Sequence, residues 1–275
     1  MSKPSAVGTV MINAARAAGR ALARDFGEVE HLQVSKKGPA DFVSNADHRA
    51  EQIIHEALSK ARPGYGFIME ESGVVEGTDK SNTFIIDPLD GTLNFLHGQP
   101  HFAVSIGLVR EGELFAGVVY DVIKNEIFWA EKGRGCWLEQ RKLVVAARRK
   151  LGEAVIATGT PWMGKGEEAH AKFWGELAAL TPVTAGIRRY GSAALDLAYV
   201  AAGRFDGFWE RGLKSWDIAA GIVLVREAGG LVQEIDGGDL LRTGSVLAAN
   251  EALMPELSSR LRKARSFQRA GEDEA

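Results

Sequence analysis

The sequence predicts an α/β (α+β) protein built as two closely packed halves. Three observations predict it. Residues 5–61 carry apolar side chains at helical spacing, residues 66–138 carry short apolar runs of strand length, and the chain after about residue 145 alternates between the two patterns. The 275 residues allow one large domain or two modest ones. The change of pattern divides them into an N-terminal half, 1–145, and a C-terminal half, 146–275. No Pro/Ser-rich linker separates the halves, so they are expected to form one compact unit.

In the N-terminal half, Val7, Val10, Met11, Ala14, Ala18, Leu22 and Phe26 share one face of a helix over 5–26. A Lys-Gly-Pro loop, Lys36 to Pro39, follows. A second helix is expected over 47–61, where Ala50, Ile53, Ile54, Ala57 and Leu58 recur at helical spacing. Asn45 or Asp47 can cap it, and Arg62-Pro63-Gly64 stops it. The runs 66–69 and 83–86 are short and apolar and end in acids, as buried strands do. Runs at 102–110, 113–121 and 126–131, broken at Glu111-Gly112 and Lys124-Asn125, read as an antiparallel meander. In the C-terminal half, strands are expected at 154–157, 187–190, 206–210, 231–235 and 246–249. Helices are expected at 167–180, 192–202, 217–228 and 251–263. The polar tail from Ser266 ends in Glu272-Asp273-Glu274 and should fray.

Composition excludes several classes. Lys+Arg number 33 against 36 Asp+Glu, a net charge of −3, which argues against holding nucleic acid by broad neutralisation. The single Cys excludes a disulfide framework and any multi-Cys metal centre, and it suits a reducing cytosol. Residues 1–24 lack the apolar core of a secretory signal, and no run approaches the roughly 18 apolar residues of a membrane span. A cytoplasmic protein is expected.

Acids stand where acids are costly. Glu70 and Glu71 end the run Phe67-Ile68-Met69, and Asp87 and Asp90 follow Phe84-Ile85-Ile86. A carboxylate at the tip of a buried strand must be paired, hydrogen-bonded or bound to metal. Pro88 fixes its φ and Gly91 permits a sharp turn, so the two Asp can converge with the Leu89 carbonyl between them. Oxygen donors without His or Cys select Mg²⁺, Mn²⁺ or Ca²⁺ over zinc. Gly91-Thr92-Leu93-Asn94-Phe95 adds free amides and a hydroxyl at a short helix start, an anion site. Together these imply a phosphate ester held between cations and amides. Asp-Pro-x-Asp-Gly is also ordinary turn vocabulary, and Asp217 in Trp216-Asp217-Ile218-Ala219-Ala220-Gly221 is also a good helix cap.

Three ordered motifs then resemble the inositol monophosphatases, lithium-sensitive Mg²⁺-dependent phosphatases, and most closely their bacterial branch. They are Glu70-Glu71-Ser72, Ile86 to Phe95, and Trp216 to Gly221 with Glu227-Ala228-Gly229-Gly230. The resemblance covers about residues 5–262. It implies a layered αβαβα sandwich of the inositol monophosphatase/fructose bisphosphatase type, a homodimer, and hydrolysis of myo-inositol 1-phosphate. It implies two to three Mg²⁺ and inhibition by Li⁺. Glu70, Asp87 and the Leu89 carbonyl would hold the first ion, and Asp87, Asp90 and Asp217 the second. Glu70 would help hold a weaker third. Thr92, bonded to Asp47, would help Glu70 activate water. Gly91 and Thr92 amides would hold phosphate, while Ser192, Ala193 and Glu210, with Asp90 and Asp217, would meet the polyol. The Lys36 loop would close over the metals. Leu93 stands where the family often has Thr, and Gly159 to Gly166 matches less well, which bears on substrate and not on reaction. Fructose 1,6-bisphosphate, histidinol phosphate and 3′-phosphoadenosine nucleotides are the alternative substrates.

Other features compete. Gly159 to Gly166 fits a phosphate-binding loop but has Gly166 where Ser or Thr must meet Mg²⁺, and Pro161 removes an amide. Gly164 to Ala169 fits a dinucleotide turn poorly, since Glu167 and Glu168 would face pyrophosphate. His97 and His101 are separated by Gly98 and Pro100, which break any zinc helix. Cys136 reads as a packed thiol, and Trp129, Trp137, Trp174 and Trp209 as core or interface. The basic run Arg260, Arg262, Lys263, Arg265 and Arg269 could contact RNA or the transcription machinery, although it equally suits a solvated helix end.

Overall fold

A computed structural model describes residues 3–28, 34–38 and 41–267, with the backbone alone at 34–38 and 41–43. Helix α1 (Ala6–Phe26) starts at Ser5, whose hydroxyl accepts from the Gly8 amide. Strands β1 (Val34–Gly38) and β2 (Asp41–Ser44) pair antiparallel with Lys36 opposite Phe42, so Lys36 to Gly38 of the expected loop is strand, while Pro39 lies outside the described residues. Helix α2 (Asn45–Ala61) is capped by Ser44, not by Asn45 or Asp47. Ser44 has the extended backbone of a cap, and Asp47 reaches back to its amide in a capping box.

The first sheet has eight strands in the order β10-β9-β8-β7-β6-β5-β3-β4. They are β3 (Tyr65–Met69), β4 (Gly73–Val75), β5 (Asp79–Asp90), β6 (Ala103–Arg110), β7 (Glu113–Asp121), β8 (Glu126–Glu131), β9 (Gly135–Leu138) and β10 (Arg141–Leu143). The meander β6–β8 falls where the three runs and their turns place it. Strand β5 runs past the expected 83–86. Pro88 brings no amide, and the register with β6 is interrupted between Asp87 and Asp90. Helices α1 and α2 cover one face, with Met11, Leu22, Ile54, Phe84 and Ile106 in a common core.

The other face meets α5 (Ala193–Ala201) and α6 (Ser215–Glu227), with Val119, Phe128, Leu197 and Leu224 between them. These helices are buried on most sides because they lie between two sheets, and α5 buries one acid, Asp196. A Cβ on Gly117 of β7 would come within 2.4 Å of the Ala220 carbonyl, so only glycine lets α6 settle on the sheet. Beyond lies a five-stranded mixed sheet, ordered β12-β11-β13-β15-β14. Its strands are β11 (Val155–Thr158), β12 (Gly186–Arg188), β13 (Gly207–Glu210), β14 (Leu231–Glu234) and β15 (Val246–Ala249). Helices α4 (Gly166–Leu180) and α8 (Met254–Lys263) pack on its outer face through Phe173, Trp209 and Leu257. Short helices α3 (Thr92–Leu96) and α7 (Leu240–Thr243) complete the chain. The layers run helix, sheet, helix, sheet, helix, the αβαβα sandwich expected.

Candidate active site

Strands β3 and β5 run parallel with Met69 opposite Ile86, so the acids that follow both strands emerge at one end of the sheet. The Glu70 amide donates to the Ile86 carbonyl at 3.2 Å, tying Glu70 to β5. Asp87 is buried, and its Oδ1 accepts from the Leu89 amide at 3.0 Å in a turn that Pro88 preorganises. Asp217 comes from the other half. It is the third residue of α6, not its cap, and its Oδ2 accepts from the Lys214 amide at 2.7 Å. The Ser105 hydroxyl on β6 donates to the Trp216 carbonyl at 3.2 Å, which fixes the start of α6 against the sheet.

These carboxyls feel one another. Burial holds Asp87 well above the usual carboxylate range, and the charges of Glu70, Asp90 and Asp217 raise it further. Burial likewise raises Asp217, with Asp90 and Glu70 adding to it. Asp90 is pushed up to about 6 by burial, against the hydrogen bonds it accepts. Glu70 and Asp87 share a hydrogen bond. No Lys or Arg charge ranks among the main influences on Asp87 or Asp217. Buried oxygen donors of one sign fit a hard divalent cation such as Mg²⁺. Among the described residues the acids surround a shared space, and no three of them close on one point in ligating geometry.

The phosphate turn stands beside them. Gly91 has φ of 96°, and a Cβ there would lie 3.1 Å from the His101 carbonyl and 3.3 Å from that of Gly191. The Thr92 hydroxyl is 3.2 Å from Asp47 Oδ1 and 3.0 Å from the Leu89 carbonyl; its single proton serves one at a time. Asp47 is itself held by the Ser44 amide and hydroxyl at 2.9 and 2.7 Å, and burial raises its carboxyl.

The Ser192–Ala193 turn is the start of α5 and grips Asp90. The Ser192 hydroxyl and the Ala194 amide both donate to Asp90 Oδ2, the latter at 2.8 Å. The resemblance sets Ser192 against substrate hydroxyls; here its hydroxyl is engaged by Asp90. Glu210 ends β13, and its carboxyl occupies the space where Gly159 lacks a Cβ. Burial, then the charge of Asp90, raises it to about 8. Glu70, Asp90, Ser192, Ala193, Glu210 and Asp217 line one cleft of about 370 Å³. A larger cavity of about 560 Å³, near Leu114 and Arg226, contains none of them.

Two residues escaped the sequence reading. Glu51 accepts from the Glu71 and Ser72 amides at 2.8 and 2.9 Å, setting the turn after Glu70. An acid between Ala50 and Ile54 on the buried face of α2 was the available signal. Asn94 Nδ2 donates to the His101 and Tyr190 carbonyls, both at 2.8 Å, and joins the phosphate turn to the chain ahead of α5. The competing features resolve otherwise. Lys165 donates to the Gly212 carbonyl at 2.8 Å, outside its own loop. His101 packs between Tyr190 and Tyr199. Cys136 is buried and its thiol is pushed up. Trp129 stacks on Trp137 and Trp209 is buried, while Trp174 is half exposed. Arg260 pairs with Glu256, and Arg262 donates to the Ile235 carbonyl; Arg269 lies outside the described residues.

Comparison with known proteins is consistent with this geometry. A family model described as "Inositol monophosphatase family" matches residues 3–266. An inositol-1-monophosphatase of Caulobacter vibrioides is 58% identical over 258 residues, covering 92% of this chain and all of that one. A protein named Nus factor SuhB of Escherichia coli is 42% identical, covering 92% of this chain and 94% of its own. The crystal structure of the extragenic suppressor protein suhB from Bartonella henselae superposes with a TM-score of 0.92 at 53% identity, over 95% of this chain and all of that one.

Proposed function

The chain belongs to the inositol monophosphatase family, and on that premise we propose how its residues hydrolyse an inositol phosphate. It is a phosphatase: water attacks phosphorus, the bond from phosphorus to the polyol oxygen breaks, and inositol and phosphate leave. The observation that carries this reading is the gathering of Glu70, Asp87, Asp90 and Asp217 beside the Gly91–Thr92 turn.

Glu70, Asp87 and the Leu89 carbonyl would hold one Mg²⁺, and Asp87, Asp90 and Asp217 a second, with Glu70 helping a weaker third. When bound, the metal acidifies water and stabilises charge on the entering and leaving oxygens. The chain supplies the rest. The Gly91 and Thr92 amides take the phosphate oxygens. The Asp47–Thr92 pair and Glu70 stand ready to accept the proton of the attacking water. Asp217, Ala193 and Glu210 meet the polyol. Burial, with the charge of Asp90, raises the Glu210 carboxyl, which favours its protonated form, a donor to a substrate hydroxyl. Inhibition by Li⁺, a homodimer and a cytoplasmic setting accompany this proposal.

Asp90→Asn tests it. Removing one ligand charge should lower kcat on myo-inositol 1-phosphate by at least about a hundredfold. Phosphate release that survives the substitution, or survives chelation, rejects the mechanism. The same assay with fructose 1,6-bisphosphate, histidinol phosphate and 3′-phosphoadenosine 5′-phosphate, with and without Li⁺, ranks the substrates.

A further inference from the structure

Ser44 belongs to two elements at once. It is the last residue of β2, where it pairs with Val34 of β1, and it is the cap of α2. Its hydroxyl has its roles fixed by its neighbours. It accepts from the Ala46 amide at 3.1 Å and donates its one proton to Asp47 Oδ2 at 2.7 Å. The Ser44 amide donates to the same oxygen at 2.9 Å. Ser44 and Asp47 are both buried, so water does not compete for these bonds.

These bonds decide what Asp47 can do. Its Oδ2 is taken by two donors, and its Oδ1 is left facing the Thr92 hydroxyl at 3.2 Å. No Lys, Arg or His charge ranks among the main influences on Asp47. Hydrogen bonds, those from Ser44 first, are what oppose the burial of its charge. The Thr92 proton has a second acceptor, the Leu89 carbonyl at 3.0 Å. The nearer acceptor is a neutral carbonyl and the farther one a carboxylate. A hydrogen bond to a charged group is roughly twice as strong as one between neutral groups. The carboxylate therefore wins the Thr92 proton as long as it stays ionised and aimed, and Ser44 serves both conditions.

We propose that Ser44 is a positioning residue for hydrolysis: its hydroxyl holds Asp47 as the acceptor for Thr92, which leaves a Thr92 lone pair for the attacking water. The proposal rests on the phosphatase reading above, in which the Asp47–Thr92 pair takes a proton of that water. Ser44 touches neither water nor substrate and acts through Asp47. The cap of α2 is thereby part of the catalytic apparatus, and the hairpin that ends in Ser44 is tied to the reaction centre through Asp47 and Thr92.

The test measures kcat and KM on myo-inositol 1-phosphate at saturating Mg²⁺ for the wild type, Ser44→Ala, Ser44→Gly, Thr92→Val and the double variant Ser44→Ala/Thr92→Val. Both Ser44 substitutions remove the hydroxyl and keep the amide, but glycine is the better helix cap. kcat should fall alike in the two, by about 10–100-fold, with KM unchanged. A thermal scan should show Ser44→Ala melting below Ser44→Gly. A kcat that follows this order of stability overturns the proposal, as does a kcat that stays at the wild-type value. Thr92→Val keeps the amide and removes the hydroxyl, so adding Ser44→Ala to it should lower kcat no further. A second full loss in the double variant shows a route that bypasses Thr92 and overturns the proposal too. Wild-type hydrolysis that is abolished by Asp90→Asn but indifferent to Ser44 ends this proposal and leaves the phosphatase reading standing. No hydrolysis by the wild type ends both.

Discussion

Asp90 takes its orientation from residues about a hundred positions away. The Ser192 hydroxyl and the Ala194 amide both hold Oδ2 of its carboxylate. Ser192→Ala removes one donor to a charged acceptor, a loss of about 1.5–3 kcal/mol. It should raise the half-saturating Mg²⁺ concentration about tenfold while KM at saturating Mg²⁺ changes little. An unchanged Mg²⁺ titration would show that Ser192 does not position Asp90. His101 makes a prediction about pH. Its burial between two tyrosines, with Lys124 adding to the effect, lowers its pKa from 6.5 to about 4. Between those values the unfolded chain binds this proton and the folded chain does not, so the group's contribution to stability is lost as pH falls from 6.5 toward 4. His101→Gln should therefore lose less melting temperature than the wild type between pH 7 and pH 4.5. Equal losses in a thermal scan would contradict this assignment.

At the scale of elements, packing depends on where side chains are missing. Gly117→Ala places a methyl against the Ala220 backbone, and separating α6 from β7 should cost about 1–3 kcal/mol. Gly152 has open space at the same position, so Gly152→Ala should be close to neutral. Urea denaturation of the two variants checks the contrast, and equal midpoints would contradict the close approach. The meander was legible because three runs of strand length are separated by Gly and Asn turns. Strands β4, β9 and β10 were not, because three or four residues carry too little periodicity to read. The caps of α2 and α6 misread by a few residues for one reason. An Asp at the third helical position reaches back to the cap amide, so it serves the helix start without being the cap itself.

For the whole molecule, the acids at the ends of β3 and β5 and the acid of α6 come from different halves of the chain, and the proposed shared cation would join both halves. Mg²⁺ at about a hundred times its dissociation constant should stabilise the folded state by about 2.7 kcal/mol. That corresponds to about 2–4 °C in melting temperature for each kcal/mol in a chain of this size. Chelator should reverse the gain, and Asp217→Asn should lose most of it. A melting temperature indifferent to Mg²⁺ would remove the shared site. The sequence by itself determined the local matters: which segments are helix or strand, that Asp87-Pro88-Leu89-Asp90-Gly91 must turn, and that its acids need a partner. Those follow from spacing, from Pro and Gly, and from the cost of burying charge, all of which act over a few residues. Only the tertiary structure decided that Ser192 serves Asp90, that Glu51 sets the turn after Glu70, and that Asn94 joins the phosphate turn to the chain ahead of α5. These contacts are made by segments 20 to 104 positions apart in the chain, and their identity depends on how two sheets stack across α5 and α6, which no local pattern encodes.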